Sequence, residues 1–217
     1  MPSPLTSILN TMLALTLALA APVFAADLDY ELAHQGRQRS YTLHLPPAAD
    51  ASLQPLVMVL HGGGRNAANA ARMTGMDGIA DREGFLVVYP NGSGRFRRLL
   101  TWNAGNCCGR ALDEGVDDVG FLNAVVDDVA RRHKVDARRV YVTGMSNGGM
   151  MTYRLGCESA RRFAAIAPVA GAMNVACKPD APLSVIAFHG TADRHVRYEG
   201  GPPLANVDRH ARADAPE

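Results

Sequence analysis

Hydrophobic positions along the chain fall into two rhythms. Pro55 to Leu60 is apolar without alternation, as are Phe85-Leu86-Val87-Val88-Tyr89, Ala164 through Val169 and Leu183-Ser184-Val185-Ile186-Ala187-Phe188. Unbroken runs of this length predict interior strands of a parallel sheet covered on both faces. Tyr41-Thr42-Leu43-His44-Leu45 alternates and stops at Pro46-Pro47, which predicts an outer, half-buried strand. Between Asp117 and His133, Val119, Leu122, Val126, Val129 and His133 recur at helical spacing. Asp117-Asp118 at the start and Arg131, Arg132 and Lys134 at the end suit the helix dipole. Strands alternating with helices predict one α/β domain, a mostly parallel sheet with helices on both faces. No repeat or interdomain linker interrupts it.

The sharpest change of rhythm is at Val140 to Leu155. Val140-Tyr141-Val142-Thr143 reads as a buried strand, Gly144-Met145-Ser146-Asn147-Gly148 follows at once, and Met150 to Leu155 is helix-forming. Strand, tight Gly-x-Ser-x-Gly turn and helix form the context of a nucleophile elbow. The glycines leave room for a strained turn that lifts a serine hydroxyl above the sheet and aims the Asn147 amide at a developing oxyanion. The competing reading is a glycine-rich loop that only reverses the chain.

The first residues stand apart from this pattern. Met12 to Ala21 is an apolar run ending in Val23-Phe24-Ala25. It is too short for a stable membrane span and has small residues where a signal peptidase reads. Residues 1–25 are therefore expected to be a signal peptide and 26–217 the catalytic domain, exported to the periplasm or medium. An uncleaved anchor is the alternative, since the segment before the apolar run carries no Lys or Arg. The formal net charge is +1 and basic residues are scattered, which argues against nucleic acid or an anionic membrane as partner. Four cysteines in an exported chain suggest disulfides. Cys157 and Cys177 flank one strand-containing segment and are expected to pair. Cys107 and Cys108 are adjacent and could bridge each other or a cysteine elsewhere. The four lack the paired spacing of a zinc site, and no metal or cofactor is expected.

Three further stretches could carry chemistry. His61-Gly62-Gly63-Gly64 follows the Pro55–Leu60 strand, and its small residues let backbone amides such as that of Gly63 approach a substrate oxygen. His189-Gly190-Thr191-Ala192-Asp193 follows the Leu183–Phe188 strand. Asp193 thus sits downstream of Ser146, in the order serine, acid, histidine. A long segment from Asn91 to Gly115 holds the only tryptophan, Trp102. Trp102 is either a stacking wall for an acyl group or filler of the loop's own core, and His61 is a second candidate substrate contact. The histidines after Asp193 are His195, two residues from the acid, and His210, in a polar Pro- and Arg-rich tail. Neither is well placed for a general base.

Taken in order, Leu60-His61-Gly62-Gly63-Gly64, Trp102-Asn103-Ala104-Gly105-Asn106-Cys107-Cys108-Gly109, Val116-Asp117-Asp118-Val119-Gly120-Phe121, Gly144 to Met150 and His189 to Asp193 make the chain resemble the secreted polyhydroxybutyrate depolymerase and feruloyl esterase group of the α/β-hydrolase superfamily. The resemblance covers roughly Tyr41 to Pro203. It implies Ser146 as nucleophile, Asp193 as triad acid, and the Asn147 and His61-Gly62-Gly63 amides as oxyanion donors. It also implies an ester substrate, either a hydroxyalkanoate polymer or oligomer or a plant cell-wall hydroxycinnamate ester. Family members continue through a further helix and strand to a Gly-rich turn with the catalytic histidine, so the expected domain is an α/β-hydrolase lacking its C-terminal portion. Two functions are expected on this basis. One is a secreted serine esterase acting through an acyl-enzyme, and the other a non-catalytic remnant that binds esters or glycans.

Overall fold

Gln35 and Gly36, both at positive φ, fold Ala26–His34 (β1) back on Arg37–Leu45 (β2) as an antiparallel hairpin. A two-residue turn with both residues left-handed matches the natural twist of paired strands, and glycine carries the second position without strain. The structure is a computed structural model and describes residues 24–201 apart from 48, 50, 51 and 97. Beyond the hairpin lie Gln54–Leu60 (β3), Leu86–Pro90 (β4), Val135–Met145 (β5), Ala165–Val169 (β6) and Ser184–Val185 (β7). The sheet order is β1-β2-β4-β3-β5-β6-β7. Strands β4, β3, β5, β6 and β7 run parallel, while β2 meets β4 antiparallel.

Helices cover both faces. Ala67–Thr74 (α1) and Met76–Glu83 (α2) lie on one, where Ala67, Ala70 and Ala80 pack with Val59, Val87 and Tyr89. Small helix side chains let these short helices approach the sheet closely. The other face carries Asp118–Arg132 (α4) and Asn147–Glu158 (α5). There Phe121, Leu122, Val125, Met151 and Leu155 close over Leu43, Leu56, Met58 and Val142. A five-residue helix, Gly109–Asp113 (α3), interrupts the long loop. The predicted helix thus forms with Asp117 as its N-cap, its carboxylate accepting the Gly120 N–H at 2.9 Å.

Two strand expectations need correction. The Tyr41–Leu45 strand is not outer. It starts at Arg37 and pairs on both sides, with β1 outside it, and Tyr41 and Leu43 are buried in the core that includes Phe121, Leu122 and Val125 of α4. The Leu183–Phe188 run is not interior. Only Ser184–Val185 is strand, with a further bridge from Val169 to Phe188. Val185, Ile186 and Phe188 are 53%, 57% and 53% exposed, because among the described residues only β6 pairs with this run.

Two local features give testable consequences. Cys157 and Cys177 are bonded, closing a loop with a sequence separation of 20. A crosslink of that span stabilises by about 3 kcal/mol on the chain-entropy model. Replacing both cysteines by alanine should lower the unfolding free energy by about that amount in urea titrations, and an unchanged midpoint would refute it. His44, on β2, is buried, with Nδ1 donating to Asp27 at 2.6 Å and Nε2 to Asp81 on α2 at 2.9 Å. Asp77, whose carboxylate accepts the Tyr89 hydroxyl, faces the same ring. Burial alone would lower the His44 pKa, but the bonds to Asp27 and Asp81 and the Asp77 charge outweigh it and raise it. The native state therefore holds this proton more tightly than the unfolded chain. The stabilisation is complete below the ordinary value of 6.5 and is lost as pH rises through the raised one. Thermal denaturation should show stability falling across that window in the parent and a flatter profile in His44→Gln.

Candidate active site

β5 ends at Met145 and α5 begins at Asn147, so one residue, Ser146, makes the whole turn. It does so at φ 54° and ψ −120°, a conformation that costs a non-glycine residue of order 1–3 kcal/mol. Hydrogen bonds hold it there. The Ser146 N–H donates to the Val169 carbonyl of β6 and its own carbonyl accepts the Met150 N–H, both at 2.9 Å. The flanking glycines are dictated by packing. A Cβ on Gly144 would lie 2.6 Å from the Gly148 oxygen, and one on Gly149 2.6 Å from the Val169 oxygen. Gly171 closes the cradle, its Cβ position being 2.6 Å from the Gly149 carbonyl carbon. The result is a half-exposed serine at the positive end of α5, where the first-turn N–H groups have no intrahelical acceptor.

The glycine loop after β3 packs directly against this turn. A Cβ on Gly62 would be 3.9 Å from the Ser146 Cβ, and one on Gly63 3.5 Å from the Asn147 Cβ. Among the described residues the Gly63 N–H has no hydrogen-bond acceptor. Gly64, at φ +72°, turns the loop and donates its N–H to Leu100 at 2.8 Å. His61 anchors the loop from within. Its Nδ1–H donates to the Gly62 carbonyl at 2.8 Å, and its Nε2 accepts the Gly92 N–H at 3.0 Å. Only the neutral Nδ1–H tautomer makes both bonds. Burial lowers the His61 pKa to about 4, against the opposing bond to Gly62 and with the Arg39 charge adding to the fall.

His61 and Trp102 do not form a substrate wall. Both are 0% exposed. The Trp102 indole N–H donates to the His61 carbonyl at 2.9 Å, and the two rings lie 4.8 Å apart. The Asn147 side chain clamps the Trp102 backbone at both ends, its Oδ1 accepting the N–H at 2.8 Å and its Nδ2 donating to the carbonyl at 3.0 Å. With that amide committed, Asn147 has its backbone N–H left for a ligand. Beyond Trp102, the Asn103 N–H donates to Asp118 at 2.8 Å, and Asp118 takes the Arg39 guanidinium at 2.7 Å in a fully buried pair. Asp118 thus supports the site from below, a role its place at a helix start does not suggest. Cys107 and Cys108 are bonded to each other, one of the two options the sequence leaves open.

Asp193 lies in the loop beyond Phe188, at the carboxyl end of the strand beside β6. Its Oδ1 accepts the N–H groups of His195 and Val196 at 2.8 and 3.0 Å. Burial pushes its pKa up, but those backbone donors and the nearby His189 and His195 outweigh burial and hold it below the usual range. His189 donates from Nε2 to the Val196 carbonyl, bracing the same loop. Among the described residues no histidine hydrogen-bonds the Ser146 hydroxyl, and His210 lies outside them. A second polar cluster, of Asp27, His44 and Asp77, has the composition of a metal site. The carboxylate bonds at both His44 nitrogens make it a protonated imidazole with its counter-ions.

Residues 39–194 match the family model of esterase PHB depolymerase. The chain belongs to that family. Among similar proteins is the esterase NocK of Nocardia uniformis subsp. tsuyamanensis, 34% identical over 175 residues, which cover 78% of this chain and 49% of that one. Feruloyl esterase C of Emericella nidulans is 31% identical over 171 residues, covering 78% of this chain and 60% of the relative. The chain therefore spans about half the length of the curated relatives it matches. Among solved structures, a thermostable esterase superposes with a TM-score of 0.62 at 20% identity, over 80% of this chain and 48% of that one. The fold is that of the α/β-hydrolases.

Proposed function

We propose that this chain is a secreted serine carboxylic ester hydrolase that works through an acyl-enzyme. The observation that carries the reading is Ser146 at φ 54° on the N-terminus of α5, packed against the His61–Gly64 loop. Ser146 Oγ attacks the ester carbonyl carbon, and a histidine oriented by Asp193 takes its proton. The oxyanion receives the N–H groups of Asn147 and Gly63. The alcohol leaves with the histidine's proton, and water then cleaves the acyl-serine bond. The substrate is an ester of a hydroxy acid or a hydroxycinnamate, as for the family's depolymerases and feruloyl esterases. Residues 1–25 direct export. In support, β1 begins at Ala26, where the mature chain would start, and a disulfide links Cys157 to Cys177. N-terminal sequencing of exported protein should begin at Ala26.

The test is p-nitrophenyl acetate hydrolysis by the chain beside Ser146→Ala, with and without added imidazole. Without a positioned base, the oxyanion donors and binding alone support about 10³–10⁴-fold catalysis over water. Slow, Ser146-dependent turnover stimulated by imidazole is the expected result. A second reading is a non-catalytic protein that binds esters or glycans. That reading predicts rates equal to Ser146→Ala under both conditions.

A further inference from the structure

Met145 is the last residue of β5 and stands immediately before Ser146. Its backbone is paired in register with Val169 on β6, yet the residue is 37% exposed. The thioether folds over the glycine loop. Its methyl carbon, Cε, lies 3.9 Å from the point where a Cβ on Gly62 would sit, and that same point is 3.9 Å from the Ser146 Cβ. A solvent-accessible sulfur is thus held against the loop whose Gly63 N–H has no acceptor among the described residues. Sulfur elsewhere in the chain is less open to oxidants, or lies on other elements. All four cysteines are in disulfides, so no thiol competes for an oxidant. Met58 and Met151 are fully buried, while Met73 near the end of α1 and Met173 beyond β6 are exposed.

From this we infer that Met145 is an oxidative modification site, through which hydrogen peroxide turns down the chemistry of Ser146. The inference rests on the ester-hydrolase reading of Ser146. A lone pair on the Met145 sulfur attacks one peroxide oxygen and the O–O bond breaks. The other oxygen takes the proton of the transferred one and leaves as water. Sulfur is oxidised to the sulfoxide and the peroxide is reduced. A flexible apolar side chain thereby becomes polar, with a strong hydrogen-bond acceptor where the thioether offered a weak one. Because β5 fixes the backbone, the new oxygen is delivered beside the glycine loop. There it competes with the developing oxyanion for the Gly63 N–H.

The experiment exposes the full chain to dilute hydrogen peroxide and maps sulfoxide at each methionine by peptide mass spectrometry. Ser146-dependent p-nitrophenyl acetate turnover is followed in the same samples. Loss of turnover should track sulfoxide at Met145 and reach about tenfold or more, since removing one oxyanion donor outright costs on the order of 100–1,000-fold. Met145→Leu should keep its own untreated rate after the same exposure. Met73→Leu combined with Met173→Leu should lose turnover as the parent does. Methionine sulfoxide reductases, one for each sulfoxide epimer, should restore the parent's rate. Amide NMR supplies a readout that needs no turnover, since oxidation should shift Gly62 and Gly63 in the parent and leave them in place in Met145→Leu. No sulfoxide at Met145, an equal loss in Met145→Leu, or complete Met145 sulfoxide with an unchanged rate would each overturn the inference. Met145-dependent shifts at Gly62 and Gly63, in a chain with no Ser146-dependent turnover before treatment, would support the modification site and overturn only the hydrolase reading.

Discussion

Gly148→Ala is expected to abolish Ser146-dependent ester hydrolysis and to destabilise the chain by about 3 kcal/mol or more, the upper range for overpacking a rigid site. The new Cβ would sit 2.5 Å from the Leu60 oxygen and 2.6 Å from the His61 oxygen, both of them backbone atoms. No flexible side chain can yield. Either α5 retreats from the sheet or the end of β3 moves, and both separate the Asn147 and Gly63 amides. A displacement near 1 Å at a catalytic centre costs on the order of 100-fold in rate. Gly78→Ala is the matched control. Gly78 lies inside α2 with nothing within 4 Å of its added Cβ and no positive φ, so alanine there should stabilise by roughly 0.5–1 kcal/mol. Urea titrations of both variants give opposite signs if close approach sets the effect. Equal midpoint shifts would show that glycine's backbone freedom matters at Gly148 and its small size does not.

Local sequence was informative wherever the constraint is local. The elbow is written in consecutive residues because strand, turn and helix follow one another from Val140 to Leu155. The α4 helix is likewise legible from its spacing and its acidic start. Other parts depend on what packs where. Trp102 could have been wall or filler, and Asn147, forty-five positions along the chain, decides it by holding the Trp102 backbone at both ends. His61 beside a glycine run looks like a ligand contact until both ring nitrogens are found bonded, Nδ1 to the Gly62 carbonyl and Nε2 to the Gly92 N–H thirty-one positions along the chain. Gly171 belongs to the elbow's packing but lies outside its motif. The β1 strand had a usable signal, since Leu28, Tyr30 and Leu32 alternate with Asp27, Asp29 and Glu31. That alternation, and not the Tyr41–Leu45 run alone, marks β1 as the edge strand that pairs with β2. The Leu183–Phe188 run carries interior composition, yet its placement depends on neighbours that periodicity does not record.

Arg39→Met is expected to cost about 3–5 kcal/mol, the usual penalty for stripping one partner from a buried ion pair. Asp118 is fully buried and, among the described residues, would keep the Asn103 N–H as its one donor. Burial already raises the Asp118 pKa above its ordinary 3.8, with Arg39 and the Asn103 bond pulling it back down. Losing the guanidinium lets burial raise it further, so the native variant takes up a proton that the unfolded chain releases above about 4. A carboxyl group whose folded pKa is raised stabilises the native state at low pH and loses that contribution as pH rises through the folded value. The penalty of Arg39→Met should therefore be smaller at pH 5 than at pH 7. Arg39→Met with Asp118→Asn should cost less than the two single changes summed, since no buried charge is left unpaired. Asn103 hangs from Asp118 and continues the Trp102 segment that Asn147 grips, so Arg39→Met should also lower the Ser146-dependent rate at pH 7. Additive costs, or a penalty independent of pH, would mean that Asp118 finds another partner and that the buried pair does not brace the elbow.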